Sequence, residues 1–489
     1  MPKSITHKPV WGYFCSMQKP SLPSGTRDFG PVVLKRRKAI MQVLERVFVS
    51  HGFDPLETPA LENLKTLQGK YGDEGDQLLF RILNSGDYLS KAPEADRHDS
   101  KALSPWIADR GLRYDLTVPL ARFVVMNRGQ LPMPFKRYQM QPVWRADRPQ
   151  KGRYREFWQC DIDVVGADSV LCEAELVEMY LKAFQQLGLG VEIRINHRGL
   201  LDSLMPSLGS ASAWSEFMVA MDKADKIGQE GVSQELRNRH LEHAVRVWEG
   251  LCAAQQEGDF ESKLKAFEAL AFFKNEDANA QSILQAEEAL KKAADELRLL
   301  RSLLPAQASV VLDLTLARGL SYYTGAVFEV SPKDERLPLD FRLGSIGGGG
   351  RYDNLTGAFG LPDVPGVGVS FGLDRIYDTM EAAGLFDQMP STWKGILFCP
   401  MDEASFPDAV RLAREVRHCG YAAEVYPSAA KLKKQLDYAN QRGWCLAAIL
   451  GENERLSQTV ALKDLNEGSQ STVSYDDLVT HLKTHLPNG

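Results

Sequence analysis

WRADRPQKGRYREFWQCDID, residues Trp144–Asp163, is the stretch from which the rest of the chain can be read. Alternate side chains of a strand face opposite sides of a sheet, so a strand over Arg153–Val164 sorts by parity. Arg153, Arg155, Phe157, Gln159, Asp161 and Asp163 fall on one face, and Tyr154, Trp158, Cys160, Ile162 and Val164 on the other. The second set is a core face and the first a chemical one. A preceding strand carries Gln141, Val143, Arg145 and Asp147 on one side, and Arg148–Gly152 supplies turn chemistry for a hairpin. Forked guanidiniums beside one aromatic ring suit a planar base joined to phosphates, because arginine matches phosphate oxygens bidentately. The competing reading is a solvated strand laced with salt bridges.

Two further segments bear on that choice. In Gly366–Arg375, Val367, Val369 and Phe371 alternate with Gly366, Gly368, Ser370 and Gly372. Three glycines on one face of a strand mean that something approaches the backbone closely, and a flat ligand or tight internal packing would each do so. Arg375 follows in the first turn of a helix. A loop, Leu316–Gly325, carries Arg318, Tyr322 and Tyr323. The run Gly347–Gly350 lacks the lysine and spacing of a phosphate-binding loop and reads as close packing. No serine, cysteine or histidine nucleophile stands beside a base, so covalent catalysis is not expected.

Around these segments the chain divides by composition. A helix runs from Pro31 to His51-Gly52, with Ile40, Val43, Leu44 and Val47 on its apolar side. Strand patterns continue to about residue 195. From Gly199 to Pro305 the chain turns rich in Ala, Leu, Glu and Lys, and Ile283, Ala286, Leu290, Ala294 and Leu297 keep helical spacing. Strands then resume, and beyond about Ser391 short apolar runs alternate with amphipathic helices, the pattern of a small α/β unit. The expected organisation is a tail 1–19, a catalytic domain in two parts, 20–198 and 306–390, a helical insertion 199–305, and a C-terminal domain 391–489.

With 489 residues, 44% hydrophobic and 25% charged, the chain can bury more than one core. A net charge of -6 argues against indiscriminate coating of nucleic acid but permits a local basic groove. Seven scattered cysteines without a C-x-x-C pair suit a reducing, cytoplasmic setting and neither a disulfide framework nor a zinc site. His240 and His243 lack the further ligands a metal needs, so no protein-held metal is expected. No apolar run approaches the roughly 20 residues of a membrane span, and the first 16 residues read as a frayed tail.

Taken in order, Pro59, Arg145 with Arg153–Phe157, and Gly366–Arg375 resemble the three signatures of class II aminoacyl-tRNA synthetases. Leu112–Thr117, Arg148–Arg153 and Leu316–Gly325 further resemble the histidyl-tRNA synthetases. The resemblance spans about Pro20 to the C-terminus. It implies an α+β fold: a six-stranded antiparallel catalytic sheet with a helical insertion over the tRNA acceptor stem, and a C-terminal α/β anticodon-binding domain. It also implies a homodimer, ATP with Mg²⁺ as substrate, L-histidine and tRNA(His).

Carried over position by position, the resemblance gives Arg145 the α-phosphate and Arg153 the terminal phosphates. Phe157 and Arg375 enclose adenine, and Asp147 joins the ATP site. Asp115, Thr117 and Gln159 take the histidine amino group, Leu116 and Arg145 also belong to the histidine site, and Asp163, Tyr322 and Tyr323 line an imidazole pocket. Arg318 stands between carboxylate and phosphate, and Arg148, Gln150 and Arg155 meet the acceptor end. Arg145 and Arg318 are the expected catalytic pair. Ser321, where the family commonly has aspartate, and Trp158, where histidine or tyrosine is frequent, depart from the pattern. The rival readings are a non-catalytic, histidine-binding regulatory paralogue, which typically lacks Arg318 and the anticodon domain, and a synthetase for another amino acid, against which the Arg318–Tyr323 loop speaks.

Overall fold

The computed structural model describes residues 19–70, 72–270, 280–317, 323–387 and 393–486. They fall into two compact units, divided between Leu385 and Phe386. Among the described residues no helix is long and apolar enough to cross a membrane.

The first unit is built on eight strands: β1 Asp54–Pro55, β2 Phe135–Trp144, β3 Glu156–Val165, β4 Val191–His197, β5 Val310–Leu312, β6 Ala326–Pro332, β7 Gly347–Arg351 and β8 Gly366–Gly372. Their spatial order is β1-β2-β3-β8-β7-β6-β4-β5. The six inner strands pair antiparallel, as expected. The two flanking strands, two and three residues long, add parallel edges that no sequence period could announce.

The registers place the chemical face directly. Arg137, Gln139, Gln141 and Val143 of β2 stand opposite Asp163, Asp161, Gln159 and Phe157 of β3. Across β3, Gly368, Ser370 and Gly372 of β8 stand opposite Asp163, Asp161 and Gln159. The other face is core: Cys160, Ile162, Val164, Val367, Val369 and Phe371 are at most 3% exposed. Phe371 meets Tyr180, Phe48 and Phe184 at centroid distances of 4.4, 5.5 and 5.7 Å. Those rings come from the helices Pro31–Ser50 and Val170–Leu187. The first starts with proline in its opening turn and stops at His51, after which Gly52 takes φ +75°.

Parity fails at one point. β3 begins at Glu156, so Arg153 and Arg155 belong to the loop and not to the strand face. The ladder's last rung is Arg145 N–H to Arg155 C=O, and a tight Gln150–Arg153 turn closes beyond it, with Gly152 at φ +73°.

From Arg198 to Leu303 the described chain is helical, and Ala286, Ala294 and Leu297 are buried on the last helix, Ala280–Leu303. That helix packs against Val170–Leu187, and His197 at the end of β4 holds it through Nε2 and Glu296 at 2.8 Å.

The second unit contains β9 Trp393–Pro400, β10 Ala422–Val425, β11 Trp444–Leu450, β12 Thr459–Asp464 and β13 Gln470–Ser474, in the order β10-β9-β11-β12-β13. Its three apolar runs pair in parallel. β11 is buried at every position, as a strand covered on both faces must be. The helix Phe406–His418 covers one face, through Leu412 and Val416, and Leu432–Arg442 covers the other through Ala439.

Candidate functional site

Two adjoining cavities lie on the chemical face of the first unit. The smaller, about 290 Å³, is walled by Asp115, Thr117, Arg145, Gln159, Asp161, Asp163, Tyr323, Tyr352 and Ser370. The larger, about 750 Å³, is walled by Arg145, Asp147, Arg153, Phe157, Gln159 and Arg375, with Met221 and Lys226 from the helical segment. Arg145, Gln159, Tyr323 and Ser370 belong to both, so a ligand in one meets a ligand in the other there.

Each wall has a local cause. Asp115 accepts the Val118 N–H at 3.2 Å at the start of the helix Thr117–Asn127, which fixes the turn. Leu116 is fully buried and offers only its backbone, whose carbonyl accepts from Arg137 at 3.3 Å. Arg145 Nε donates to the Tyr114 carbonyl at 3.2 Å, and its guanidinium lies over the Tyr114 ring at 4.2 Å and the Phe157 ring at 5.2 Å. Gln159 Nε2 donates to Ser370 Oγ at 3.0 Å. Its buried Oε1 has no hydrogen-bond partner among the described residues.

The small cavity is rich in carboxylates held in low dielectric. Asp163 pairs with Arg137 at 2.7 Å and accepts the Tyr352 hydroxyl. Burial pushes its carboxyl up, with Arg137 opposing. Burial likewise pushes Asp161 up to about 7; Arg137 opposes and Asp163 adds to the rise. Such a site favours a ligand that brings positive charge or ring N–H donors.

In the larger cavity Arg375 is aimed by two carbonyls, Gly152 at 2.9 Å and Ser345 at 2.8 Å. Arg153 is half exposed and stands 3.7 Å from Asp147. The glycines of β8 divide by role. A Cβ at Gly368 would overlap the Asp163 carboxylate, and one at Gly366 would overlap the Tyr352 ring. Only Gly372, whose Cβ would meet nothing nearer than Ile346 O at 3.4 Å, leaves open room toward the larger cavity. The protein's own side chains, and not a ligand, therefore explain two of the three.

Arg145, Asp147, Arg153, Phe157 and Arg375 are thus brought together, as are Asp115, Thr117, Gln159, Asp163 and Tyr323. Arg318, Ser321 and Tyr322 lie outside the described residues. Arg148 and Gln150 are exposed on the hairpin tip and line neither cavity. Arg155 is turned away, donating to the Asp147 carbonyl at 3.1 Å and to Ser24 at 3.4 Å. Trp158 stands opposite Pro142, on the face carrying Cys160 and Ile162. Sequence reading passed over Asp161, Tyr352 and Arg137. Asp161 shared the parity of Gln159 and Asp163, which was the available signal. Among the described residues no group of His, Cys, Asp or Glu is arranged to hold a metal ion.

The family model for histidyl-tRNA synthetase matches residues 108–376, and an anticodon-binding-domain model matches residues 395–485. A histidine–tRNA ligase from Cytophaga hutchinsonii is 46% identical over 95% of this chain and all of its own length. One from Christiangramia forsetii is 44% identical at the same coverages. Among solved structures, histidyl-tRNA synthetase from Nostoc sp. PCC 7120 superposes with a TM-score of 0.76 at 29% identity, over 96% of this chain and all of that one. On this evidence the chain belongs to the histidyl-tRNA synthetase family.

Proposed function

We propose that the protein is a histidine–tRNA ligase, which activates L-histidine with ATP and transfers it to the 3′ end of tRNA(His). The observation that carries the proposal is the pair of cavities joined at Arg145. The carboxylate-rich cavity suits histidine, whose ammonium and ring N–H groups it would bind. The larger one suits ATP, with adenine between Phe157 and Arg375 and phosphates toward Arg145 and Arg153.

A histidine carboxylate oxygen attacks the α-phosphorus, the bond to the β-phosphate breaks, and pyrophosphate leaves. Negative charge grows on the α-phosphate oxygens beside Arg145, whose guanidinium is already fixed by Tyr114 and so stabilises that charge without reorganising. Arg318 takes the second such place by family resemblance. Mg²⁺ arrives with ATP as part of the substrate. Alignment of the two bound reactants supplies much of the remaining acceleration, so no general base is needed. The terminal hydroxyl of tRNA then attacks the adenylate carbonyl and AMP leaves.

In this reading Arg148 and Gln150 meet the acceptor end, which their exposure on the hairpin tip supports, and Arg155 acts by holding the loop. The match over residues 395–485 supports an anticodon-reading role for the second unit and favours this function over a regulatory one. A homodimer belongs to the same reading, and Leu61, Leu83 and Trp106, exposed by 46, 53 and 43%, offer apolar side chains for its interface. Six unbridged cysteines among the described residues fit a cytoplasmic setting. The deciding experiment is ATP–pyrophosphate exchange with each amino acid in turn. Histidine alone should support it; equal exchange with proline or threonine, or none, would sink the proposal.

A further inference from the structure

Asp374 is where three separate parts of the chain meet. Asp374 is 3% exposed, and its carboxylate pairs with Arg27, pairs with Arg37 Nη1 at 2.7 Å, and accepts the Trp158 backbone N–H at 2.8 Å. The next residue, Arg375, forms one wall of the larger cavity. Arg27 also reaches the opposite wall. Its guanidinium lies 3.3 Å from the centroid of the Tyr154 ring, in the hairpin loop that carries Arg153. The Tyr154 hydroxyl in turn donates to Asp378 at 2.9 Å, back on the Arg375 helix, Leu373–Ala382.

The residues on either side of Arg27 follow the same hairpin. Arg155 N–H donates to the Gly25 carbonyl at 2.9 Å, and Arg155 NH1 donates to Ser24 O at 3.4 Å. Gly25 adopts φ +84°, and a Cβ there would strike the Arg155 stem, so glycine is required twice over. Phe29 lies beneath Arg37 at 4.1 Å.

We infer that residues 24–29 are a strap that holds the two walls of the larger cavity in register, with Arg27 as a positioning residue for the nucleotide. The hairpin loop has few ladder bonds beyond Arg145, and besides the strap it is tied to the opposite wall by the Arg375–Gly152 and Tyr154–Asp378 bonds, the second of which depends on the ring that Arg27 covers. An adenine slot works only if Phe157 and Arg375 stay at stacking distance, and errors of about 1 Å in such placement are costly. Arginine is suited to the task because its planar guanidinium can lie on a ring while donating within its plane to a carboxylate. The small cavity is held by bonds of its own, through Arg137, Tyr352 and Ser370. The strap's effect therefore falls on ATP and not on histidine.

The inference rests on reading the larger cavity as an ATP site, and one set of exchange assays separates the two. In the full-length protein Arg27→Ala raises the KM for ATP roughly tenfold, about 1.4 kcal/mol, and leaves the KM for histidine within about twofold. Arg27→Lys, which keeps the charge and loses the planar stack, recovers only part of the change. Tyr154→Ala removes the other half of the stack and carries the same test should Arg27→Ala not fold. Because both substitutions break one contact, the double variant is less than additive. An unchanged KM for ATP, an equal rise in both KM values, or a drop in thermal stability alone overturns the strap. Absence of histidine-dependent exchange in the unsubstituted protein would instead overturn the ATP-site reading.

Discussion

Arg137 and Asp163 pair at 2.7 Å on neighbouring strands with side chains 0 and 2% exposed, so the charge beneath the smaller cavity is balanced inside the sheet and not by solvent. Tyr352 completes the arrangement by donating to the same carboxylate. Removing one partner of such a pair leaves an uncompensated buried charge, typically at a cost of about 3–5 kcal/mol. Arg137→Met should lower the stability of the first unit by that amount, read from its urea midpoint. A stability within about 1 kcal/mol of the unsubstituted protein would mean that the pair is not a structural element of the sheet.

Asp161, one alternation away, gives a pH dependence. Its folded carboxyl sits near 7 against an ordinary value of 3.8, chiefly through burial. Between those values the folded state holds a proton that the unfolded state has released. The stability this group contributes is full below about 3.8 and is lost as pH rises through about 7. Asp161→Asn abolishes the dependence, so the variant should gain stability relative to the parent as pH rises from about 4 to about 8. Parallel stability curves across that range would remove Asp161 as the titrating group.

The β8 glycines allow the two cavities to be perturbed separately. A methyl at Gly368 meets the Asp163 carboxylate, whereas a methyl at Gly372 projects toward the larger cavity, the proposed ATP site. Gly368→Ala should raise the KM for histidine about tenfold and spare ATP; Gly372→Ala should do the reverse. If both variants affect the same substrate, the division of the site is wrong.

These positions also mark where the sequence was readable. Strict alternation placed the side chains of Phe157–Val164 in β3 and Val367–Phe371 in β8 on their observed faces, because a strand covered by helices on one side tolerates no slip. Arg153 and Arg155 escaped that logic, since a loop closed by a Gln150–Arg153 turn has no period of two. Glycine spacing revealed that something approaches the β8 backbone but not what, and at Gly366 and Gly368 it is Tyr352 and Asp163. Asp161 was visible by parity and unassigned because its significance depends on burial, which only the packed sheet supplies.

The second unit offers a test of tRNA binding that leaves the chemistry alone. Lys431, Lys433 and Lys434 are exposed at the start of the helix Leu432–Arg442, and Arg442 is exposed at its end. A solvated helix face would look the same, so charge reversal must decide. If these groups meet phosphates, every lysine–phosphate pairing that is removed reduces the slope of log affinity against log salt by just under one. Lys433→Glu with Lys434→Glu should therefore raise the KM for tRNA in charging by about tenfold or more at low salt, flatten its salt dependence by nearly two, and leave histidine-dependent exchange unchanged. Charging with an unaltered salt slope would return these lysines to the role of ordinary surface charge.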